Sequence, residues 1–535
     1  MASPSPKSPE QTEKTKQYDR QLRLWGDHGQ MALEHGHVCL INATALGTEV
    51  LKSIVLPGVG SITIADDKTV SDDDIGNNFF LESSSNGLNR GSEALRLLLE
   101  LNPAVQGHAV QEPTDQILRE NPDFFKAFSV VVATALEDKT IQNLAQHLWD
   151  INVPFILCRS VGFLGSFRIQ IKEHAVVETH PDNEQTDLRL DVPFPALAEY
   201  LDGFDIDGVE LKDHGHIPWI VILYKAVQKW QISNTNCWPM SRKQKNEVKS
   251  IIEEFIRKDE NGIPINEENF EEALRAVNTA LMPTFLPTNI QNLLYSSAAT
   301  NLTKESSPFW IMCSALRNFI ESEGKGKLPL RGVLPDMTAS TEHYIKLQNI
   351  YRSQAAMETE IIYRKVQQII AQLHCENISE GEVKLFCRHA HDLYLIKGSN
   401  IATEHQLGGT VAAYISRYLE EPDVMMVHYI LLRAAEMFRS EHCRAPGDWE
   451  PEGDIAMLKT CVNKILSDIS CSPFPKDDHI HEMCRYGGAE IHSVSAFLGG
   501  CVAHEAIKIV TKQYKPVNNT FIYDGASTNT TTFTF

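Results

Sequence analysis

The first residues with recognisable chemistry lie in a strand–loop–helix pattern near the N-terminus. The loop reads Asn-Ala-Thr-Ala-Leu-Gly at 42–47. A phosphate-binding loop carries G-x-G-x-x-G at this position: two glycines form the turn and expose backbone to phosphate, and the third allows close helix–strand packing. Only that third glycine, Gly47, is present, with Asn42 and Thr44 in place of the others. The pattern predicts that the packing is kept and nucleotide binding is lost, because the β-branched Thr44 stands where bare backbone is needed.

A carboxylate after the next predicted strand is a candidate for binding a ribose. Asp66 follows the apolar strand at 61–65, the usual place of a ribose-binding acid in dinucleotide-binding folds. The competing interpretation is a strand-terminal Asp that caps a turn. We favour the turn, because an acid without a phosphate-binding loop holds a nucleotide weakly.

Cysteine and histidine patterns bear on thiol chemistry and metal binding. The 11 cysteines include no C-x-x-C pair, which argues against a zinc ribbon or a disulfide framework and predicts a reducing cytoplasm or nucleus. The Asp/His/Cys clusters at 213–216 and 477–484 lack zinc-site spacing, so we expect structural roles and no bound metal. We also expect structural roles for the cysteines of the central region, none of which lies in a recognised nucleophile motif: Cys237, Cys313, Cys375, Cys387, Cys443, Cys461 and Cys471.

The elements that position these residues alternate between short apolar strands and helices. Strands are predicted at 38–41, 61–65, 129–133 and 154–158, with helices at 46–56, 91–101 and 141–149. Such alternation is typical of a doubly wound parallel sheet. Residues 167–172 alternate between apolar and polar side chains, which predicts a strand with one buried face.

Helical periodicity dominates the middle of the chain, and the α/β style returns at the C-terminus. A helix rich in small residues is predicted at 493–512, followed by a strand at 520–523. We therefore predict a Rossmann-like α/β domain built from 17–170 and 485–535, interrupted by a mainly helical insertion at 171–484. The Ser/Pro/Lys-rich residues 1–16 are predicted to be a disordered tail.

Composition argues against some functions. The 535 residues carry a net charge of −21, which disfavours nucleic-acid binding because phosphate contacts need basic patches. No apolar run approaches the roughly 20 residues of a membrane helix. The N-terminal residues lack the apolar region of a signal peptide.

Several separated motifs resemble those of the ubiquitin-like-modifier activating enzymes. They are YDRQLRLWG at 18–26, LPGVG at 56–60, DLRLD at 187–191, LPLRGVLPDM at 328–337, YIKLQ at 344–348 and AFLGG at 496–500. The resemblance implies a ThiF/MoeB-type adenylation domain, with an insertion that corresponds to the catalytic-cysteine domain. Within the family the motifs are most similar to the regulatory-subunit branch that serves the neddylation modifier.

The departures from active family members are specific. Active members carry N-x-N-R-Q-F after the second strand, in which the arginine binds phosphate. In the matching stretch at 75–80, Asn78 takes the position of that arginine. A phosphate-binding lysine is matched by Arg90, which keeps the charge but not the compact ammonium group. With no recognised catalytic cysteine, the resemblance implies a chain that binds no cofactor itself. A catalytic partner subunit would bind ATP and Mg²⁺.

Two surfaces of this chain are predicted to serve that partner. The resemblance implies that Arg20, in the N-terminal motif, reaches the ATP of the partner in a heterodimer and neutralises the leaving pyrophosphate. The loop at 332–345 is bounded by Gly and Pro and carries apolar residues that look exposed, so we expect it to contact the partner through Gly332, Leu334, Pro335, Asp336, Met337 and Tyr344. The ubiquitin-like modifier and a conjugating enzyme would be the further partners.

Two other functions remain open from the sequence. One is a self-contained Rossmann-type adenylating enzyme, which intact glycines or a basic residue at Asn78 would have favoured. The other is a scaffold that acts outside modifier activation. For Arg20 and for the loop at 332–345, the residues alone also allow an ordinary solvated arginine and an ordinary packed loop.

Overall fold

A computed structural model of the chain describes residues 16–182, 187–235, 237–405, 410–420, 425–474 and 476–535. By their contacts these residues form two compact units. The first runs to Val176 and resumes at Tyr394–Phe535, and the second is Val177–Leu393. The first unit contains the sheet and all residues of the predicted phosphate site.

An eight-stranded sheet forms the centre of the first unit, in the order β10-β9-β6-β5-β4-β1-β2-β3. The strands of this unit are β1 (His37–Ile41), β2 (Ser61–Ala65), β3 (Gln106–Val110), β4 (Val130–Thr134), β5 (Phe155–Val161), β6 (Leu164–Gln170), β7 (His174–Val176), β8 (Tyr394–Ile396), β9 (Thr520–Asp524) and β10 (Asn529–Phe533). Strands β1 to β5 are parallel, and β6, β9 and β10 add an antiparallel extension. Successive strands are added toward one side of the sheet after β1 and toward the other side after β4. Ligands of doubly wound folds bind at such a switch point between two strands.

Helices cover the sheet and form the rest of the chain. They are α1 (Asp19–Glu34), α2 (Ala45–Val55), α3 (Asp72–Asn77), α4 (Arg90–Glu100), α5 (Thr114–Glu120), α6 (Asp138–Asp150), α7 (Pro195–Asp202), α8 (Leu211–His214), α9 (Trp219–Ser233), α10 (Arg242–Phe255), α11 (Glu268–Ala280), α12 (Thr288–Leu294), α13 (Ser297–Thr300), α14 (Pro308–Glu321), α15 (Thr341–Leu373), α16 (Glu380–Arg388), α17 (Thr410–Glu420), α18 (Met426–His442), α19 (Pro451–Asp468), α20 (Asp478–Tyr486) and α21 (His492–Thr511). Helices α2, α4 and α21 bury their apolar sides in one core cluster against the sheet. In the second unit, α9 packs against α10 and α11, and α14 packs against α15.

The prediction of a strand with one polar face at 167–172 is wrong. Every residue of β6 is buried, and Arg168 is fully buried with its Nε donating to Glu404 Oε1 at 2.7 Å. Helices α17 to α20 cover this end of the sheet through a core cluster that includes Leu164. The buried charge is tolerated because it has a hydrogen-bonded partner of opposite sign.

Because of the same packing, the helical unit is shorter than expected from the sequence. The insertion was expected to continue to residue 484, whereas by its contacts the helical unit ends at Leu393. Residues 394–484 belong to the sheet unit because α18 and its neighbours share a core with Val161, Leu164 and Ile522 of the sheet.

Helix α21 is the most apolar long helix in the described part of the chain. By length and composition it could cross a membrane, but 61% of its most apolar window is buried inside the fold. It packs closely on α2, where a Cβ atom at Gly499 would lie 2.7 Å from the Cβ atom of Glu49. Its apolar character therefore follows from its position in the core of the first unit.

Candidate functional site

The loop between β1 and α2 is tied to the loop after β4. Asn42, at φ 65°, donates from Nδ2 to the carbonyl oxygen of Thr134 at 2.8 Å. Thr44 caps α2 by accepting from Gly47 N at 3.4 Å, and its Oγ1 lies 3.1 Å from Thr134 Oγ1. A Cβ atom at Gly47 would lie 2.8 Å from Asn42 O. Side chains therefore occupy the space in which a glycine loop exposes its backbone to phosphate.

A carboxylate of the chain lies at the N-terminus of α2. Glu490 Oε2 accepts from Leu46 N at 3.4 Å. Glu490 is partly buried, and desolvation of its carboxylate raises its pKa, opposed by hydrogen bonds from Thr44, Leu46 and Ala45. The N-terminus of a helix is where phosphate binds in nucleotide folds. Glu490 could not be predicted from the sequence, because no local pattern joins it to a helix that begins more than 400 residues earlier.

Asp66 and Arg90 form a buried ion pair beside this loop. Asp66 is 1% exposed and accepts from Arg90 at 2.8 and 3.3 Å, from Ala43 N at 2.8 Å and from Lys68 N at 3.0 Å. Arg90 Nη1 also donates to Asp74 at 3.0 Å. Burial would lower the pKa of Arg90, but the two carboxylates outweigh it and raise that pKa. Both residues predicted at degenerate ligand positions are therefore committed to each other and to the backbone.

Asn78 is also fully used within the chain. Its Oδ1 accepts from Thr48 Oγ1 at 2.9 Å and from Phe80 N at 3.0 Å, and its Nδ2 donates to Ala43 O at 3.1 Å. An arginine here could not accept from Thr48 and Phe80, because a guanidinium group has no acceptor.

A small cavity remains between these groups. Its volume is about 180 Å³, and its lining includes Thr44, Asp74, Arg90, Arg159 and Glu490. Pockets for drug-sized ligands are usually about 300–1,000 Å³. The space is therefore smaller than a usual ligand pocket while these side chains keep their positions.

Arg20 projects from an anchored helix. Tyr18, immediately before α1, is buried and its hydroxyl accepts from Asn102 Nδ2 at 3.0 Å, while Gln21 Nε2 donates to Pro57 O at 2.7 Å. Arg20 is exposed, and no hydrogen bond or ion pair joins it to the described part of the chain. Arg23, one turn later, pairs with Asp19 at 3.0 Å. Arg20 is thus held in place at its backbone with its guanidinium group available.

The loop predicted to contact a partner is less exposed than expected. Leu334 and Met337 are partly buried and pack against the core of the second unit. Gly332, Pro335 and Tyr344 are also partly buried, whereas Val333 and Asp336 are exposed. Apolar side chains at this spacing therefore attach the loop to its own unit, and its contact with a partner stays a prediction.

The buried cysteines and the Asp/His clusters have ordinary packing environments, whereas Cys237 and Cys443 are exposed. Burial raises the pKa of Cys387 to about 12 and that of Cys484 to about 11, the opposite of what a reactive thiolate needs. His214 bonds Glu267 at 2.7 Å, and Asp477 pairs with Lys459 at 2.6 Å. Among the described residues no group of three or more such side chains could hold a metal ion.

Removing the buried carboxylate at Asp66 should destabilise the first unit. In Asp66→Ala, the mainly buried guanidinium group of Arg90 loses its bidentate partner, and breaking a buried pair on one side costs about 3–5 kcal/mol. We expect urea denaturation to show a loss of this size. Asp67→Ala, one residue along at an exposed carboxylate, should change stability by less than about 0.5 kcal/mol. Equal losses in the two variants would contradict the assignment.

Glu490→Gln should change how stability depends on pH. Since folding raises the pKa of Glu490 above its ordinary value of 4.5, the ionised carboxylate disfavours the folded state, and this effect is lost as the pH falls through the raised pKa. We expect the variant to melt at a higher temperature than the parent at neutral pH, with the difference vanishing below pH 4.5. A Glu100→Gln control, at an exposed carboxylate, should follow the parent throughout; a constant offset in Glu490→Gln would contradict the argument.

Comparison with known proteins extends over nearly the whole chain. The model of the ThiF family matches residues 18–535. A NEDD8-activating enzyme E1 regulatory subunit of Danio rerio is 46% identical over 526 residues, covering 98% of this chain and 99% of that protein. A Drosophila melanogaster protein of the same name is 45% identical over 536 residues, covering 99% of each. The Arabidopsis thaliana NEDD8-activating enzyme E1 regulatory subunit AXR1 is 38% identical over 526 residues, covering 97% of this chain and 96% of that protein.

Proposed function

Because the chain belongs to the ThiF family and, within it, to the NEDD8-activating enzyme E1 regulatory subunits, we propose that it acts as the non-catalytic half of a heterodimeric activating enzyme. A catalytic partner subunit binds ATP and Mg²⁺, adenylates the C-terminal carboxylate of the NEDD8 modifier and releases pyrophosphate. A cysteine of the partner then takes the acyl group as a thioester, which passes to a conjugating enzyme and on to cullins. The reaction takes place in the cytoplasm or nucleus.

The observation that carries this proposal is that side chains of the protein fill the space around the loop at 42–47, which we call the closed phosphate loop. Glu490 lies where phosphate would meet the N-terminus of α2, and Arg90 is held by Asp66 and Asp74. The cavity that remains is about 180 Å³. These contacts argue against ATP binding by this chain and therefore against a self-contained adenylating enzyme.

Arg20 is the residue that we assign to the reaction. An arginine presents a planar fork of donors that matches phosphate oxygens, and it stabilises charge that develops on a leaving pyrophosphate. The anchored start of α1 restricts where this side chain reaches, since Tyr18 and Gln21 are bonded to the sheet unit. Arg20 completes the nucleotide site of the partner subunit and does not belong to a nucleotide site of this chain.

An uncovered face of α21 supports the assembly with a partner. Phe497 is 43% exposed, His504 is exposed and Cys501 is partly buried, and a Cβ atom at Gly500 would have no neighbour within 4 Å. A helix face of small and aromatic residues is suited to close packing against another chain. We assign this face to the heterodimer interface.

The experiment that tests the proposal is ATP–pyrophosphate exchange in the presence of NEDD8. This chain alone, the catalytic subunit alone and the mixture are compared at equal concentrations. We expect no exchange from this chain, weak exchange from the catalytic subunit and strong exchange from the mixture. Exchange by this chain alone would favour the self-contained enzyme, and an unchanged rate on mixing would favour a scaffold outside modifier activation.

A further inference from the structure

A cavity of about 420 Å³ lies in the first unit at the edge of the sheet where β4 and β5 begin. Ser129 and Pro154, the residues immediately before these strands, are in its wall. The loop between β1 and α2 lies at the opposite edge, where the parallel strands end. The cavity is therefore separate from the closed phosphate loop. Its lining includes Trp149, Ile171, Lys172, His174, Val510 and Lys512.

The charge of this lining is unusual for the chain. Lys172 and Lys512 face one carboxylate of the lining, Glu173, in a chain whose net charge is −21. Neither ammonium group makes an ion pair or hydrogen bond with the described residues. Lys172 Nζ lies 5.6 Å from the centre of the Trp149 ring, as a cation over an aromatic face does. Two basic side chains thus remain available beside an aromatic wall.

A buried histidine adds a third polar group. His174 is 7% exposed, and its Nε2 has no hydrogen-bond partner within the described structure. Burial, and then the nearby charge of Lys512, lower the pKa of His174 to about 4. The ring is therefore neutral at pH 7 and can donate one N–H. Buried polar groups without a partner are rare in native proteins, so a ligand in the cavity would meet an unused polar atom.

Ordinary packing accounts for only part of this arrangement. Lys512 follows α21 in the left-handed conformation at φ 56°, and a cation at the C-terminus of a helix is stabilised by its carbonyl groups. Lys172, which follows β6, has no helix end to stabilise its charge, and His174 Nε2 stays without a partner. The apolar part of the wall, with Trp149, Ile171 and Val510, is typical of a small-molecule pocket with a few convergent polar groups.

We propose that this cavity binds a small organic oxyanion, a phosphate or carboxylate group attached to a flat apolar ring. The oxyanion lies between Lys172 and Lys512, with His174 Nε2 as a further donor after a small side-chain adjustment. The ring packs against Trp149 and the aliphatic wall. Binding at this edge of the sheet is independent of the role proposed for the closed phosphate loop.

The test uses phenyl phosphate as the probe, with inorganic phosphate and phenol as its separate halves. Isothermal titration of the full-length chain should give at least about tenfold tighter binding for phenyl phosphate than for either half, since charged hydrogen bonds and apolar contact act together. Lys172→Ala and Lys512→Ala should each weaken that binding about tenfold. Lys139 is an exposed lysine of α6 that does not line the cavity. Lys139→Ala therefore removes a charge of the same sign outside the cavity and should leave binding unchanged.

Several results would overturn the proposal. They are absence of phenyl phosphate binding at millimolar concentration, phenol binding as tightly as phenyl phosphate, and equal weakening by Lys139→Ala. Thermal melting of each variant verifies that the fold is intact. His174→Phe gives a second, uncharged test: it should weaken phenyl phosphate binding and leave phenol binding unchanged. Unchanged phenyl phosphate binding in this variant would remove the histidine from the site.

Discussion

Replacing Arg20 by alanine should reduce NEDD8 adenylation by the heterodimer about 10²–10³-fold without loss of assembly. Removing one group that stabilises the charge developing in a transition state typically costs about 10²–10³-fold in rate, and Arg20 is expected to be one such group for the leaving pyrophosphate. Arg20 is exposed and has no partner in the described part of its own chain, so its loss should not change the fold. ATP–pyrophosphate exchange at saturating NEDD8 measures the effect.

Arg23→Ala is the matched control for this measurement. It removes the same type of side chain from the same helix, at a position that is 76% exposed and paired with Asp19. We expect less than a twofold change in exchange. Arg20→Lys should recover only part of the rate, because an ammonium group lacks the planar fork of donors. Full activity in Arg20→Ala would exclude the proposed role, and equal losses in Arg20→Ala and Arg23→Ala would indicate a general effect on α1.

Gly500→Arg should weaken association with the catalytic subunit at least about 100-fold, roughly 2.8 kcal/mol. A side chain at Gly500 meets nothing within 4 Å in this chain, so the variant should fold normally. At a packed interface, however, a long charged side chain would prevent close approach and bury a charge without a partner. Size-exclusion chromatography and a titration of labelled subunits measure the loss.

Gly381→Arg provides the control for the substitution itself. Gly381 also lies in a helix, α16, and a Cβ atom there would be 3.9 Å from its nearest neighbour, Ser379 Oγ. We expect unchanged association in this variant. If Gly500→Arg also assembled normally, the uncovered face of α21 would not be the interface, although the exchange experiment could still support the regulatory role.

Much of the sheet can be predicted from the sequence because its signals are local. The apolar runs of β1, β2, β4 and β5 and the helical spacing between them give the order of elements directly. Strand β3 was missed because its sequence, QGHAV, is mostly exposed in the structure and lacks an apolar run. The loss of the glycines around Gly47 could also be read directly, since each position of that motif has a defined role.

Two carboxylates from distant parts of the chain, one at the phosphate loop and one on β6, could not be predicted from the sequence. Glu490 reaches Leu46 across 444 residues, and Glu404 reaches Arg168 across 236. Neither carboxylate lies in a motif, and both depend on how helices after residue 394 pack on the sheet. The alternation around Arg168 even indicated an exposed face, since a buried arginine with a distant partner has the same local pattern as a solvated one.

The closed phosphate loop has a consequence for the evolution of this chain. Replacing Thr44 by glycine would remove the cap of α2 while Glu490 still lay at its N-terminus. Replacing Asn78 by arginine would leave Thr48 Oγ1 and Phe80 N without the acceptor that they have now. Each single replacement therefore lowers stability by itself. An open glycine loop at this position would require several replacements at once, which makes the closed arrangement hard to leave by single mutations.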